Sequence, residues 1–144
     1  PLRRLKWFQK ESNRSFRNKI YFFFRPSDRR TDLLKINLSV PKTFKSTLNL
    51  KKVSFCKVTI GGFESRTKCL EDIPADIEIN TDESSLRTIN IYPYSPIPAS
   101  KESYAILLKV KNPTRSGLYQ FHSFGQPKGT SVSSYLGSWT IVID

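Results

Sequence analysis

The chain has 144 residues, 38% of them apolar and 25% charged, with a formal net charge of +12. That length suits one domain able to bury roughly two-thirds of its unfolded surface. The composition excludes a disordered tail, and no apolar stretch approaches the roughly 18 residues of a membrane-spanning helix. The charge is uneven: the first thirty residues carry ten basic against two acidic side chains, a net +8 of the +12. Such asymmetry speaks to partners and association rate, and not to fold.

Methionine is absent and the sequence opens on Pro1, which reads as a chain from which a targeting segment has been removed, hence as an exported protein. Its two cysteines, Cys56 and Cys69, suit one disulfide in an oxidising compartment, or two buried thiols.

Residues 1–18 mix basic side chains with Leu2, Leu5, Trp7, Phe8 and Phe16, and lack the Gly/Ser content of a passive linker. Leu2, Leu5 and Phe8 recur every third residue, as in a short amphipathic turn. The segment is read as an arm outside the main sheet, with the β domain running from residue 19 to 144.

From Asn18 onward the apolar period becomes two. Lys19 to Arg25 is a continuous apolar run suited to a strand covered on both faces. Leu34 to Val40 alternates and ends at Pro41. Val53 to Ile60, Asp76 to Asn80, Leu86 to Tyr92, Ser103 to Lys111, Leu118 to Phe124 and Leu136 to Ile143 read as further strands. Tyr104, Ile106, Leu108 and Val110 share one face of the sixth, and Trp139, Ile141 and Ile143 one face of the last. Gly61-Gly62, Tyr92 to Pro98, Asn112-Pro113 and Gln126 to Gly129 mark turns. Seven to eight short strands without a helical pattern predict an all-β, antiparallel, immunoglobulin-like sandwich carrying an extended basic N-terminal arm.

The cysteines constrain the first hairpin. A two-residue turn at Gly61-Gly62 leaves Cys56 and Cys69 on a diagonal, roughly 7 Å apart at Cβ, whereas a loop of Gly61 to Glu64 sets them directly opposite. A disulfide, which needs about 3.8 Å, predicts the longer loop.

Catalytic chemistry finds little support. The single histidine, His122, alternates with Tyr119 and Phe121 and shares the more polar face with Gln120, and no nucleophile elbow, phosphate loop or dinucleotide fingerprint occurs. Catalysis by His122 would require a cleft with a nucleophile beside it. One histidine and two cysteines cannot fill a zinc site alone. Glu71, Asp72, Asp76, Glu78, Asp82 and Glu83 lack calcium-loop spacing and read as a solvated loop. The expectation is a non-enzymatic protein without metal, cofactor or small-molecule substrate.

The candidate binding residues are Arg3, Arg4, Lys6, Trp7, Phe8, Lys10, Arg14 and Arg17. Basic groups interleaved with rings suit an acidic protein surface, an anionic membrane surface, or nucleic acid as the alternative; a solvated tail is the plain reading.

Val110 to Phe121, which contains Asn112-Pro113-Thr114-Arg115-Ser116-Gly117-Leu118-Tyr119, is followed by Pro127, Gly129 and Tyr135-Leu136-Gly137-Ser138-Trp139. This pattern resembles an exported family of cyanobacteria and related plastids known as domain of unknown function 2808. Pro96-Ile97-Pro98 also fits, and looser similarity extends back to Tyr21. Ser116-Gly117 stands where the family has paired glycines, Ala99-Ser100 replaces a glycine, and the basic arm is outside the pattern. The resemblance implies a periplasmic or thylakoid-lumen location and no catalytic residues. The combined expectation is an exported accessory protein docking through its basic arm, with an extrinsic lumenal subunit of a photosynthetic membrane complex as one case.

Overall fold

The computed structural model describes residues 2–61 and 66–144. Among the described residues ten strands form two antiparallel sheets: β1 (Trp7–Gln9), β2 (Arg17–Phe24), β3 (Leu33–Val40), β4 (Val53–Thr59), β5 (Lys68–Asp72), β6 (Ala75–Thr81), β7 (Arg87–Pro93), β8 (Ser103–Lys111), β9 (Gly117–Pro127) and β10 (Ser134–Ile143). One sheet runs β1-β2-β8-β4-β5 and the other β10-β9-β3-β7-β6. The sandwich expected from alternation is present, and all eight expected strands lie within it. Two strands were not anticipated, β1 and β5. In β5 four of the five residues are exposed, so this edge strand carries no alternating apolar signal.

The apolar run of β2 serves both faces of its sheet. Ile20, Phe22 and Phe24 enter the core between the sheets, while Tyr21 and Phe23 join Cys56, Val58, Ala105 and Leu107 in a second cluster on the outer face. Trp139, with no exposed surface, sits at the centre of the main core, its ring edge-on to Phe22 and Phe24 at centroid distances of 5.0 and 5.4 Å. Such pairs add roughly 0.5–1.5 kcal/mol to the burial of each ring.

Residues 3–9 are part of the sandwich, which corrects the expectation of an arm outside the sheet. Leu5 is buried; its N–H donates to the Ser138 carbonyl at 2.8 Å, and the Ser138 N–H donates to the Arg3 carbonyl at 2.7 Å. Trp139 Nε1 donates to the Lys6 carbonyl at 3.0 Å. Two residues later the chain has changed sheets, with Trp7 opposite Phe22 and Phe8 opposite Tyr21. The segment thus straps the two sheets together along one edge of the sandwich. Its inward residues are Leu5 and Trp7, a period of two, and the period of three through Leu2 includes a half-exposed side chain that joins no core. A boundary at residue 18 falls inside β2, so there is one unit and no separate arm.

Cys56 and Cys69 are bridged, with Cα atoms 5.6 Å apart. They are not directly opposite. Val58 pairs with Cys69 and Cys56 with Asp72, and an irregularity between Lys57 and Val58 leaves Leu70 as the extra residue. The bulge draws the diagonal pair into bonding range, a route that ideal register does not offer. Thr59 pairs with Lys68, so the connection exceeds both loops considered; of these, residues 62–65 lie outside the described residues.

Of the six acidic residues read as a solvated loop, Asp82 and Glu83 do lie in the exposed turn between β6 and β7, and the other four are on strands. Glu71 and Asp72 lie on β5, and Asp76 and Glu78 on β6, which form the edges of the two sheets. Charges on free edges oppose edge-to-edge pairing with other chains.

Candidate functional site

The eight candidate residues divide into four groups. Arg3 is structural: its guanidinium lies 3.0 Å from Asp28 Oδ1 and donates to the Ser27 carbonyl at 2.6 Å. The buried Asp28 carboxylate also accepts the Arg25 backbone N–H at 2.8 Å; Arg25 Nε lies 3.5 Å away, within ion-pair range but outside hydrogen-bond geometry. Trp7 packs against the main core and Phe8 against Tyr21, ring centroids 6.1 Å apart, and both rings are half-buried. Arg4, Lys6 and Arg14 are exposed. Lys10 and Arg17 belong to a larger array.

That array arises from strand register. In β2 and β8, Asn18 and Val110 pair and turn inward, so their neighbours turn outward together: Arg17 faces Lys111 and Lys19 faces Lys109. On one side the Lys10 N–H donates to the Lys19 carbonyl at 3.1 Å, which brings Lys10 to the same row. On the other, Val53 pairs with Leu108, which brings Lys52 alongside Lys109. Neighbouring strands stand roughly 4.8 Å apart, so this row carries a cation on each of four successive segments. An open groove of about 590 Å³ is lined, among the described residues, by these six basic residues together with Asn18, Thr47, Asn49 and Val110, and by no acidic side chain. Like charges directly opposite destabilise a sheet by roughly 0.2–1 kcal/mol per pair, and two such pairs are stacked here. The sequence displayed Lys19, Lys52, Lys109 and Lys111 only as scattered charges; their convergence depends on which strands become neighbours.

A polar network holds this end of the sheet. Buried Asn18 donates from Nδ2 to Asn112 Oδ1 at 2.9 Å and accepts from the Glu11 N–H at 2.9 Å. Asn112 Nδ2 donates to the carbonyls of Glu11 and Asn13 at 3.2 and 2.9 Å. The Asn112-Pro113 motif therefore clamps the segment that carries Lys10, besides ending β8.

Arg29, counted among the N-terminal charges, is buried. It donates to the carbonyls of Phe24, Pro98, Ser100 and Glu102 at 2.8 to 3.2 Å, and its guanidinium lies 4.9 Å from the Tyr104 ring centroid. Desolvation pulls its pKa below the usual arginine value. Its role is to fix the Pro96-Ile97-Pro98 loop.

His122 does stand beside a hydroxyl. Its Nδ1 is 2.6 Å from Ser138 Oγ, which is 2.5 Å from the Tyr135 hydroxyl. Ser138 is only 2% exposed, and a nucleophile must be reached by its substrate. The same residue's backbone pins Arg3 and Leu5, so this trio braces the N-terminal strap.

Comparison with solved structures gives the collagen-binding subdomain of the Enterococcus faecalis surface protein ACE at TM-score 0.51 and 9% identity, covering 96% of this chain and 95% of that one. BslA, a bacterial hydrophobin, is similar at TM-score 0.54 and 14% identity, covering 100% and 96%. At these identities the likeness is one of fold. No sequence among curated proteins matches the chain. A family model matches residues 3–143 and so takes in the basic segment expected to lie outside the family pattern. The chain thus belongs to the family described as protein of unknown function DUF2808.

Proposed function

We propose that this chain is a non-enzymatic binding domain that docks on an acidic protein surface through the basic face shared by β2, β8 and their flanking segments. One observation carries the reading: six basic residues line one groove, two cross-strand pairs of like charge among them, with no acidic side chain in the lining. A fold that keeps this repulsion is most easily understood if an anionic partner relieves it. The Cys56–Cys69 disulfide supports an exported location, in keeping with the lumenal or periplasmic setting implied by the sequence resemblance. An extrinsic subunit of a photosynthetic membrane complex is one form such a domain takes. Base stacking is less favoured, since Trp7 packs against the main core, Phe8 lies half-buried beside Tyr21 on the outer face, and no aromatic ring among the described residues lines the groove.

The test is a pull-down from solubilised native membranes with the full chain and with a Lys19→Glu/Lys109→Glu variant, at low and raised salt. One acidic complex retained by the natural chain, and lost with the variant and with salt, is the expected result. Retention indifferent to both would sink the reading.

A further inference from the structure

We infer that the outer face of strands β10, β9, β3 and β7 binds a neutral polysaccharide, with Phe124 as the stacking ring and side-chain amides as the groups that read its hydroxyls. This site lies on the opposite sheet from the basic face and does not depend on it.

Register defines the face. Trp139 of β10, Phe121 of β9, Leu38 of β3 and Ile89 of β7 fill the core, so the residues beside them turn outward together. One outward row joins Tyr135, Phe124, Asn37 and Asn90 across the four strands, and the next joins His122 to Ser39 and Thr88. Among the outward residues of these strands Lys35 is the only lysine, arginine, aspartate or glutamate, in a chain that is 25% charged. The opposite sheet puts Arg17, Lys19, Lys109 and Lys111 on its own outer face. Asp76 and Glu78 stand on the edge strand β6, and Arg4 is bridged to Ser138 at the other edge, so charges frame a neutral centre.

That centre offers rings and unused polar atoms. Phe124 and Tyr135 are 38% and 39% exposed, with centroids 5.6 Å apart. His122 engages Nδ1 on Ser138 Oγ, Asn37 uses Oδ1 to accept the Phe124 N–H, and Gln120 turns Nε2 toward Thr140. His122 Nε2, Asn37 Nδ2 and Gln120 Oε1 are thereby left without a partner among the described residues.

The inventory selects among ligands. A sugar hydroxyl both donates and accepts, so it matches an amide in either orientation. The C–H face of a sugar ring packs on an aromatic ring, whose own face is electron-rich. A polyanion meets a single cation, Lys35, whose ammonium lies 5.0 Å from the Tyr92 ring centroid. A protein partner or a bilayer would have to desolvate rows of amides and hydroxyls, where protein interfaces place apolar residues at the centre. From Leu118 to Phe124 the face runs about 20 Å along β9, room for several sugar residues.

The test runs the full chain in native gels containing hydroxyethylcellulose, soluble starch or galactomannan, beside a gel without polysaccharide. At least one of the three should retard the natural chain, and the retardation should persist at raised salt and in Lys19→Glu/Lys109→Glu. Phe124→Ala should weaken that binding about tenfold, and Gln120→Ala should weaken it less. Both side chains are partly exposed, so unchanged melting curves verify that the variants are folded; if Phe124→Ala melts early, Gln120→Ala decides. Failure of all three polysaccharides to retard the chain overturns the inference, as does undiminished binding by the folded variants. Retardation lost with salt or with the charge-swapped pair would move glycan binding to the basic face and overturn this site. Self-association that Phe124→Ala abolishes, in place of glycan binding, would make the face a contact between copies. None of these outcomes alters the pull-down that judges docking through the basic face.

Discussion

Leu5 packs so closely on Gly137 that a β-carbon at residue 137 would stand 2.5 Å from Leu5 Cγ. The glycine in Tyr135-Leu136-Gly137-Ser138-Trp139 is thus the receptor for the N-terminal strap. Gly137→Ala should displace Leu5 and destabilise the fold by about 1–3 kcal/mol. Leu5→Ala, which leaves a cavity instead, should cost about 2–5 kcal/mol. Thermal unfolding of the two variants and of the double variant checks the contact, because coupled sites give a non-additive sum.

Lys19 and Lys109 should trade stability against binding. Lys19→Glu replaces a like-charge pair by an opposite one and should raise stability by about 0.2–1 kcal/mol while weakening attachment to acidic partners. Denaturant unfolding and a binding titration on one sample measure both. A variant that loses stability as well as binding would show that the repulsion is not present in the folded state.

Asp28 holds the turn after β2 against the strap. Asp28→Asn removes the charge that faces Arg3 and Arg25, and should cost about 1–3 kcal/mol through the buried donors left poorly paired. Arg3→Gln should cost less, since 40% of the Arg3 side chain is exposed. Equal losses would mean that the ion pair, and not the turn, dominates.

Asp82 gives an acid-side dependence of known sign. Hydrogen bonds from the Leu86 N–H and from the Ser84 side chain and backbone hold its carboxyl below the usual aspartate range. A pKa depressed on folding contributes stability above the unfolded value, near 3.9, and that contribution is lost as pH falls through the folded one. Asp82→Asn should therefore lower the melting temperature at pH 7, where the carboxylate's contribution is present, make little difference at pH values well below 4, where it is already lost, and so flatten the acid-side fall.

Cleaving the Cys56–Cys69 bridge should lower stability by about 3 kcal/mol. Cys56 pairs with Ala105, four residues along β8 from Lys109, or about 13 Å. Affinity for anions should survive reduction at temperatures where the domain stays folded. A parallel loss of both would mean that the disulfide shapes the basic face.

The strands were legible because β-sandwich cores leave a period-two signature, as in Tyr104 to Val110 and in Trp139 to Ile143. The doubly covered β2 was legible from its unbroken run of apolar residues. What the residues do not display is pairing between distant segments. Arg17 and Lys111 read as unrelated charges until β2 and β8 become neighbours. Residues 3–9 read as an arm because basic side chains hide two inward positions, Leu5 and Trp7, and because the partners that complete them are distant in sequence or on another strand, β10 for Leu5 and β2 for Trp7. A three-residue strand at a sheet edge has little pattern of its own, so β1 leaves no mark that composition alone could reveal.

The strap also orders events in time. Lys6 and Trp139 are separated by 133 residues, yet each helps the other reach its final place. Loop-closure entropy must be met before such a contact forms, which makes this a late and slow step. A nascent chain can assemble hairpins such as β6-β7 while synthesis continues, but the strap waits for β10. Until then Trp139 and Leu5 have no mutual cover. Deleting the first nine residues would thus do more than shed charge: the chain would lack the piece that finishes it.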